Sequence, residues 1–435
     1  MLDTLGVPQA LRSFEPTFAS AHDRAALINP SQYARTRNAL DGQVTGLSPY
    51  LTHGIISLAD VARTVCAKHR LGYNDKLVFE LGWREFFHHV WESVAQPDAI
   101  LQDMRPANVW RGRYAAQLPA DIREGRTGVP CVDAAVHQLY TTGYLHNHAR
   151  MWLASYCVHL RKVHWRAGAD WLYGHLLDGD LPSNHLSWQW VAATFSSKPY
   201  LFNASNVAKF APESAWKAWA SHKTAVDMSY EQLEAIARQS SDVGAEPGVR
   251  AAQTEPALMN ALQIAENGLF RQFSDVETIK LAIKNIVSRC AEQDNPEAPN
   301  FQIELLQPWS LGERAQPAPG ARPTLRIGVI HAGTHQHWPW SLRRWQFVLR
   351  RMQSVCDVVF MGDVAQLAHL PLWPGKPSVH ATSTLFEGYR DALAAIATVH
   401  AAPKLFAQPD VLCTSFSKFY ERAQRAQPDF FTLLK

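Results

Sequence analysis

The chain has 435 residues, 47% of them hydrophobic, enough for a buried core and for two domains, which excludes a disordered or fibrous protein. A formal charge of +3 excludes a chain dedicated to coating nucleic acid but allows a local phosphate-binding face. The 6 cysteines include no CxxC pair, which points away from a disulfide framework and from a zinc or iron–sulfur site, and no apolar run reaches about 18 residues, so a soluble cytoplasmic protein without membrane contact is expected.

From Asp60 to about Trp219 the apolar residues recur mostly at helical spacing, as in Leu77, Leu81, Phe87, Val90 and Trp91, which predicts a helical domain over residues 1–225. Helical signals continue through Tyr230 to Arg238, Pro256 to Phe273 and Val276 to Cys290, interrupted at Ser240 to Gly248, and predict a helical extension over 226–294. Asn295 to Pro323 is rich in proline with Gly312 and Gly320, a composition that reads as a linker over 295–323. Beyond it, Leu325 to Ile330 reads as a strand, Ser341 to Met352 as a helix and Val355 to Met361 as a second strand, predicting a small α/β domain over 324–435. The expected fold class is therefore mainly α, with an α/β domain at its C-terminal end.

Four segments carry side chains suited to chemistry. Tyr33-Ala34-Arg35-Thr36-Arg37-Asn38 precedes Val44-Thr45-Gly46-Leu47-Ser48-Pro49-Tyr50, where hydroxyls surround a glycine and lead into a helix. Hydroxyls, free backbone N–H groups and a helix N-terminus can hold a diphosphate, although Ser and Thr are equally the usual helix caps. In Glu80-Leu81-Gly82-Trp83-Arg84-Glu85-Phe86-Phe87, helical spacing brings Glu80, Trp83, Arg84 and Phe87 to one face. This reads either as an intrahelical Glu80–Arg84 pair beside a core tryptophan or as a carboxylate and an indole presented together. Thr142 to Met151 sets Asn147, Arg150 and Met151 along one side of a helix, and a buried Arg150 needs an anion, for which Asp178 is the expected partner. His146 and His148 diverge at i, i+2 spacing and read as hydrogen-bonding residues rather than metal ligands. Asp178 to Trp190 gathers acidic groups, the Asn184 amide and two indoles, a set suited to a planar heterocycle: carboxylates accept from ring N–H groups, an amide fixes orientation, and aromatics stack or exchange electrons.

In this order, the four segments resemble the flavin-binding domain of the photolyase and cryptochrome family over roughly Gln32 to Pro212. The resemblance implies an all-helical domain holding FAD in a U-shaped pocket. It implies that Thr45, Leu47 and Ser48 meet the diphosphate with Tyr33 and Arg37 nearby, that Asn184 faces the reactive edge of the isoalloxazine, that Asp178 and Asp180 approach its pyrimidine side, and that Arg150 pairs with Asp178. It also implies an electron path from Trp188 through Trp165 to an outer tryptophan, for which Trp110 is nearest, with Trp171 left to the core. On the substrate side, the positions used by the family's cyclobutane-dimer repair enzymes hold Glu80, Trp83, Asn147, Met151 and Trp190. The (6-4) branch is disfavoured because its histidines are replaced here by Asn147 and Met151. The implied activity is a light-driven lyase acting on UV-damaged DNA, single-stranded DNA included. Lys198 and Arg161 are candidates for phosphate contact. The alternative is a blue-light photoreceptor of the cryptochrome kind.

Two features depart from the family. The first flavin motif arrives at Tyr33, where the family usually has an α/β antenna domain ahead of it, so a form without that N-terminal domain is expected; Ser415-Phe416-Ser417-Lys418-Phe419-Tyr420 is only faintly similar to that domain's exit, so the C-terminal region is read as docking or stabilising and any antenna chromophore is left unspecified. His331-Ala332-Gly333-Thr334-His335-Gln336-His337 is read as a solvated loop, and no metal is expected.

Overall fold

Side chains that satisfy free backbone amides start the helices around the site. In the computed structural model, which describes residues 1–94, 101–105, 112–239, 241–242, 253–268, 273, 276–291, 301–314, 322–369 and 378–434, Asn29 caps α1 (Pro30–Thr36) by accepting from the Gln32 N–H at 3.0 Å. A short helix, α2 (Ser48–Thr52), follows, and then the long α3 (Lys76–Ser93). His146 caps α4 (Asn147–Ser155), His164 caps α5 (Trp165–His175) and Asp180 caps α6 (Leu181–Ala192). Helix α6 has no single apolar stripe, its apolar and polar residues alternate around it, and it is largely buried, packing against α3, α4 and α5. Among the described residues no helix is long and apolar enough to cross a membrane.

The second unit is a five-stranded parallel sheet. Its strands are β1 (Gln302–Leu306), β2 (Thr324–His331), β3 (Val358–Gly362), β4 (Ser378–Thr382) and β5 (Thr398–His400), in spatial order β3-β2-β1-β4-β5. The stretch expected as a linker is thus corrected: β1 lies inside it and is the central strand, because Ile303 and Leu305 are buried on one face in register with Leu325 and Ile327. The expected helical extension is corrected as well. Its last helix, α7 (Val276–Ala291), buries Ile279, Ile283 and Ile286 against that same sheet face, so it is a layer of the α/β unit. The segment His331 to His337 is not a solvated loop either. Ala332–His337 form α8, capped by His331, and His335 is fully buried with Nε2 at 2.9 Å from the Tyr389 hydroxyl. Among the described residues no group of three or more His, Cys, Asp or Glu side chains is placed to hold a metal ion.

Helix α9 (Leu342–Val355) joins the two units. Met352 packs beneath Gly328 of β2, while Phe347 on α9 reaches Tyr50 of α2 at 5.9 Å. The fully buried Arg344 donates to the Tyr173 carbonyl at 2.8 Å and the Gly179 carbonyl at 2.6 Å, with its guanidinium 4.0 Å from the centre of the Trp340 ring. A buried guanidinium left without partners would cost several kcal/mol, so these contacts lock the turn at Gly179 to the α/β unit. The order reversal between β1 and β4, the place where open parallel sheets take ligands, faces α3 and Asp180 across a cavity of about 360 Å³. Finally α10 (Phe416–Ala426) leaves the sheet unit and returns to α3.

Candidate functional site

Gly46 has a φ of +61°, a left-handed conformation in which an added Cβ would lie 2.9 Å from the Arg24 guanidinium and from Leu11. The turn Thr45-Gly46-Leu47-Ser48 is therefore shaped by glycine and flanked by a cation that sequence reasoning missed. Arg24 is fixed by its bond to the Ser13 carbonyl at 3.0 Å and by the Phe14 ring at 4.8 Å. Thr45 accepts from the Leu47 N–H at 3.3 Å.

On α3, Glu80 and Arg84 do not pair with each other: Glu80 has one partner within the helix and one outside it, and Arg84 reaches another element. Glu80 pairs with Arg37 at 3.2 Å and Lys76 at 2.8 Å, while Arg84 turns to Asp180 at 3.3 Å. Burial, and then the Glu80 charge, push the Tyr33 hydroxyl far above the ordinary phenol range, so Tyr33, Arg37 and Glu80 form one electrostatic cluster.

The two acidic residues of the Asp178-Gly179-Asp180 turn face different helices. Asp178 accepts from Arg150 of α4 at 2.7 and 3.0 Å, with only 3% of its side chain exposed. Asp180, which the resemblance places at the pyrimidine side of the flavin, has protein partners at both of its oxygens. His88 lies 3.0 Å from each, Arg84 contacts one, and the Ser183 N–H and hydroxyl contact the other. The reason is its position as the cap of α6, where the Ser183 amide needs an acceptor. Burial alone would raise the Asp180 pKa, yet the Arg84 and His88 charges and these hydrogen bonds hold it well below the usual carboxylate range. Arg84 and His88 carried no signal that tied them to a residue so distant in sequence. Asn184 donates from Nδ2 to the Ala169 carbonyl at 2.8 Å, which fixes its amide and leaves Oδ1 as the acceptor end.

Trp188 lies against α5 at Gly168, where a Cβ would come within 2.3 Å of the indole. Trp165, one turn earlier on α5, is fully buried; its Nε1 donates to Asp103 at 2.6 Å and its ring meets His185 edge-on at 6.3 Å. Both indoles thus sit at the α5–α6 contact. Trp110 lies outside the described residues, and Trp171 is a buried ring bonded to Glu255 at 2.9 Å.

The five residues assigned to the substrate side lie on α3, α4 and α6, with α6 packed against both of the others. Asn147 directs Nδ2 to the Met151 sulfur at 3.4 Å, and Trp190 lies 5.9 Å from Tyr200. Trp83 stacks on Phe416 of α10 with centroids 4.1 Å apart and planes within 8°, a contact absent from the sequence reading although Phe416, Phe419 and Tyr420 show helical spacing. His146 bonds the Arg37 carbonyl at 3.0 Å, and Arg161 pairs with Asp121 at 2.7 Å.

This donor set fits FAD: a glycine turn with an adjacent cation for a diphosphate, a pair between half-buried Arg150 and buried Asp178, and an amide of fixed orientation for a polar ring edge. Residues 77–225 match the FAD-binding domain of DNA photolyase. A deoxyribodipyrimidine photo-lyase from Streptomyces griseus is 39% identical over 165 residues, 38% of this chain and 35% of that protein. A second, from Vibrio cholerae, is 31% identical over 45% of this chain and 44% of its own length, and a cryptochrome DASH from Vibrio parahaemolyticus is 34% identical over 37% and 38%. The chain spans less than half the length of each of these relatives. Over residues 77–225 the helical domain is thus similar to the FAD-binding domain of DNA photolyase, and part of the chain is similar to photo-lyases and to a cryptochrome DASH.

Proposed function

We propose that the protein is a light-driven lyase that splits cyclobutane pyrimidine dimers in DNA, single-stranded DNA included, in the cytoplasm. The observation that carries this reading is the grouping of two half-buried indoles, Trp83 and Trp190, with Glu80, Asn147 and the Met151 sulfur on α3, α4 and α6, of which α6 packs against both of the others. Aromatic faces left partly open beside polar groups suit a damaged pair of bases, which flips from the duplex at modest cost and stacks. FAD, when bound, supplies the electron that opens the cyclobutane ring under light and receives it back.

The residues divide the remaining work. Arg150 and Asp178 neutralise one another at the pocket wall, Asn184 presents an oriented amide, and Thr45, Leu47 and Ser48 with Tyr33 and Arg37 take the diphosphate end. Asp180 ties α6 to α3, holding the two indole-bearing helices at fixed separation. Glu80 and Asn147 read the polar edges of the flipped bases while Trp83 and Trp190 stack on them. Trp188 and Trp165, with Trp110 as outer member, form the path by which electrons reach the pocket.

The test is illumination of the reduced holoprotein with dimer-containing oligonucleotides, single- and double-stranded, followed by lesion counting. Lesion content should fall only in the light, and binding should weaken with added salt. Undiminished lesions with intact flavin photoreduction would support a blue-light receptor instead. In Trp188→Phe, photoreduction should be suppressed while chemically reduced enzyme still repairs; normal photoreduction would show that the path runs elsewhere.

A further inference from the structure

The C-terminal segment grips α3 from behind. The backbone N–H groups of Leu405 and Phe406 and the Gln408 side chain all donate to the buried Glu85 carboxylate, the last two at 3.0 Å. The Cys413 N–H donates to His89 at 3.0 Å, Lys404 pairs with Glu92 at 2.7 Å, and the Tyr420 hydroxyl donates to the Tyr73 carbonyl at 2.7 Å. Helix α10 comes so close at Gly82 that a Cβ there would lie 3.0 Å from the Tyr420 ring. This closeness sets the Phe416 ring on Trp83, and Phe79 and Phe86 meet Phe416 edge-on at 4.6 and 5.8 Å, so the covering ring is itself fixed.

An indole has two faces. Phe416, 5% exposed, closes one of them in a near-parallel stack, while Phe86 and Phe87 meet the ring at 5.7 and 5.5 Å out of plane with it, and the indole as a whole stays only half-buried. We propose that Phe416 is a positioning residue for Trp83: it holds the indole in one orientation so that the opposite face is preset to stack on a flipped base, which makes the C-terminal segment part of the substrate site. Holding a ring in its bound orientation removes an ordering cost at the moment of binding. The inference rests on the repair reading for its substrate.

The test combines a mutant cycle with a probe of the ring itself. Phe416→Leu should weaken binding to a single-stranded oligonucleotide carrying one thymine dimer by about three- to tenfold, the scale of one aromatic pair, while binding to the undamaged strand is unchanged. Phe416→Tyr should restore it, and in a Trp83→Ala background Phe416→Leu should add nothing. In protein labelled with 5-fluorotryptophan, the ¹⁹F resonance assigned to Trp83 by Trp83→Phe should be single in the parent and shifted and broadened in Phe416→Leu. Gly82→Ala, which pushes α10 outward, should act in the same direction if Phe416→Leu folds poorly. Equal losses with and without Trp83, or an unmoved resonance, would overturn the proposal. If the parent shows no preference for the dimer, the repair reading fails, and the fluorine spectra alone decide whether Phe416 orders Trp83.

Discussion

The two faces of α3 solve different problems. One face presents Glu80, Trp83, Arg84 and His88 to α1, to the candidate pocket and to Asp180, and its partners are charges that hold other helices in place. The other buries Glu85 and His89 under backbone amides of the C-terminal segment, so its polar groups serve attachment. A single helix therefore links the chemistry of the helical unit to the far end of the chain, and Trp83, stacked on Phe416, is where the two faces meet.

Breaking the pocket face should cost most. Asp180→Asn keeps a capping oxygen for α6 but leaves Arg84 and His88 without their carboxylate; we expect a stability loss of about 3 kcal/mol in denaturant titration, together with weaker FAD retention. A variant that unfolds like the parent would show that Asp180 does not tie the helices. On the attachment face, Glu85→Gln sets an amide N–H₂ against backbone donors and should cost about 1–3 kcal/mol while dimer binding, measured on the folded protein, falls no further than in Phe416→Leu.

The pH profile sharpens the same contrast. Burial lowers His146 and His335 from 6.5 to about 3, so the unfolded chain takes up protons first as pH falls through 6.5 and stability is lost from there downward. Each histidine should cost about 1.4 kcal/mol by pH 5.5. Glu85 acts oppositely: burial, outweighing its hydrogen bonds, raises it from 4.5 to about 7, so the folded carboxyl is protonated first and stability rises as pH falls through that window. Acid unfolding between pH 7 and 4.5 should therefore be steeper in Glu85→Gln than in the parent, as followed by circular dichroism; superimposable profiles would remove Glu85 from the account.

The local features of the helical unit were legible because spacing on a helix decides which side chains share a face. The 80, 83, 84, 87 pattern follows from short-range geometry, and the Arg150–Asp178 partnership from the need of a buried guanidinium for an anion. What escaped the sequence was set by packing between distant segments. The apolar residues of β1 are few and enclosed by prolines, so only pairing with β2 and β4 reveals a central strand. The Ile279, Ile283 and Ile286 stripe declares a helix but not which unit it covers. Arg344 reaching the Gly179 carbonyl, and Phe416 reaching Trp83, join residues far apart in the chain that no periodicity connects.

The account depends on the helical unit holding one flavin beside Asn184 and Trp188, which a calorimetric and absorbance titration of the purified protein with FAD measures directly. It predicts saturation at about one FAD per chain, with Asn184 and Arg150 variants binding more weakly. A colourless protein that takes up no FAD would contradict it.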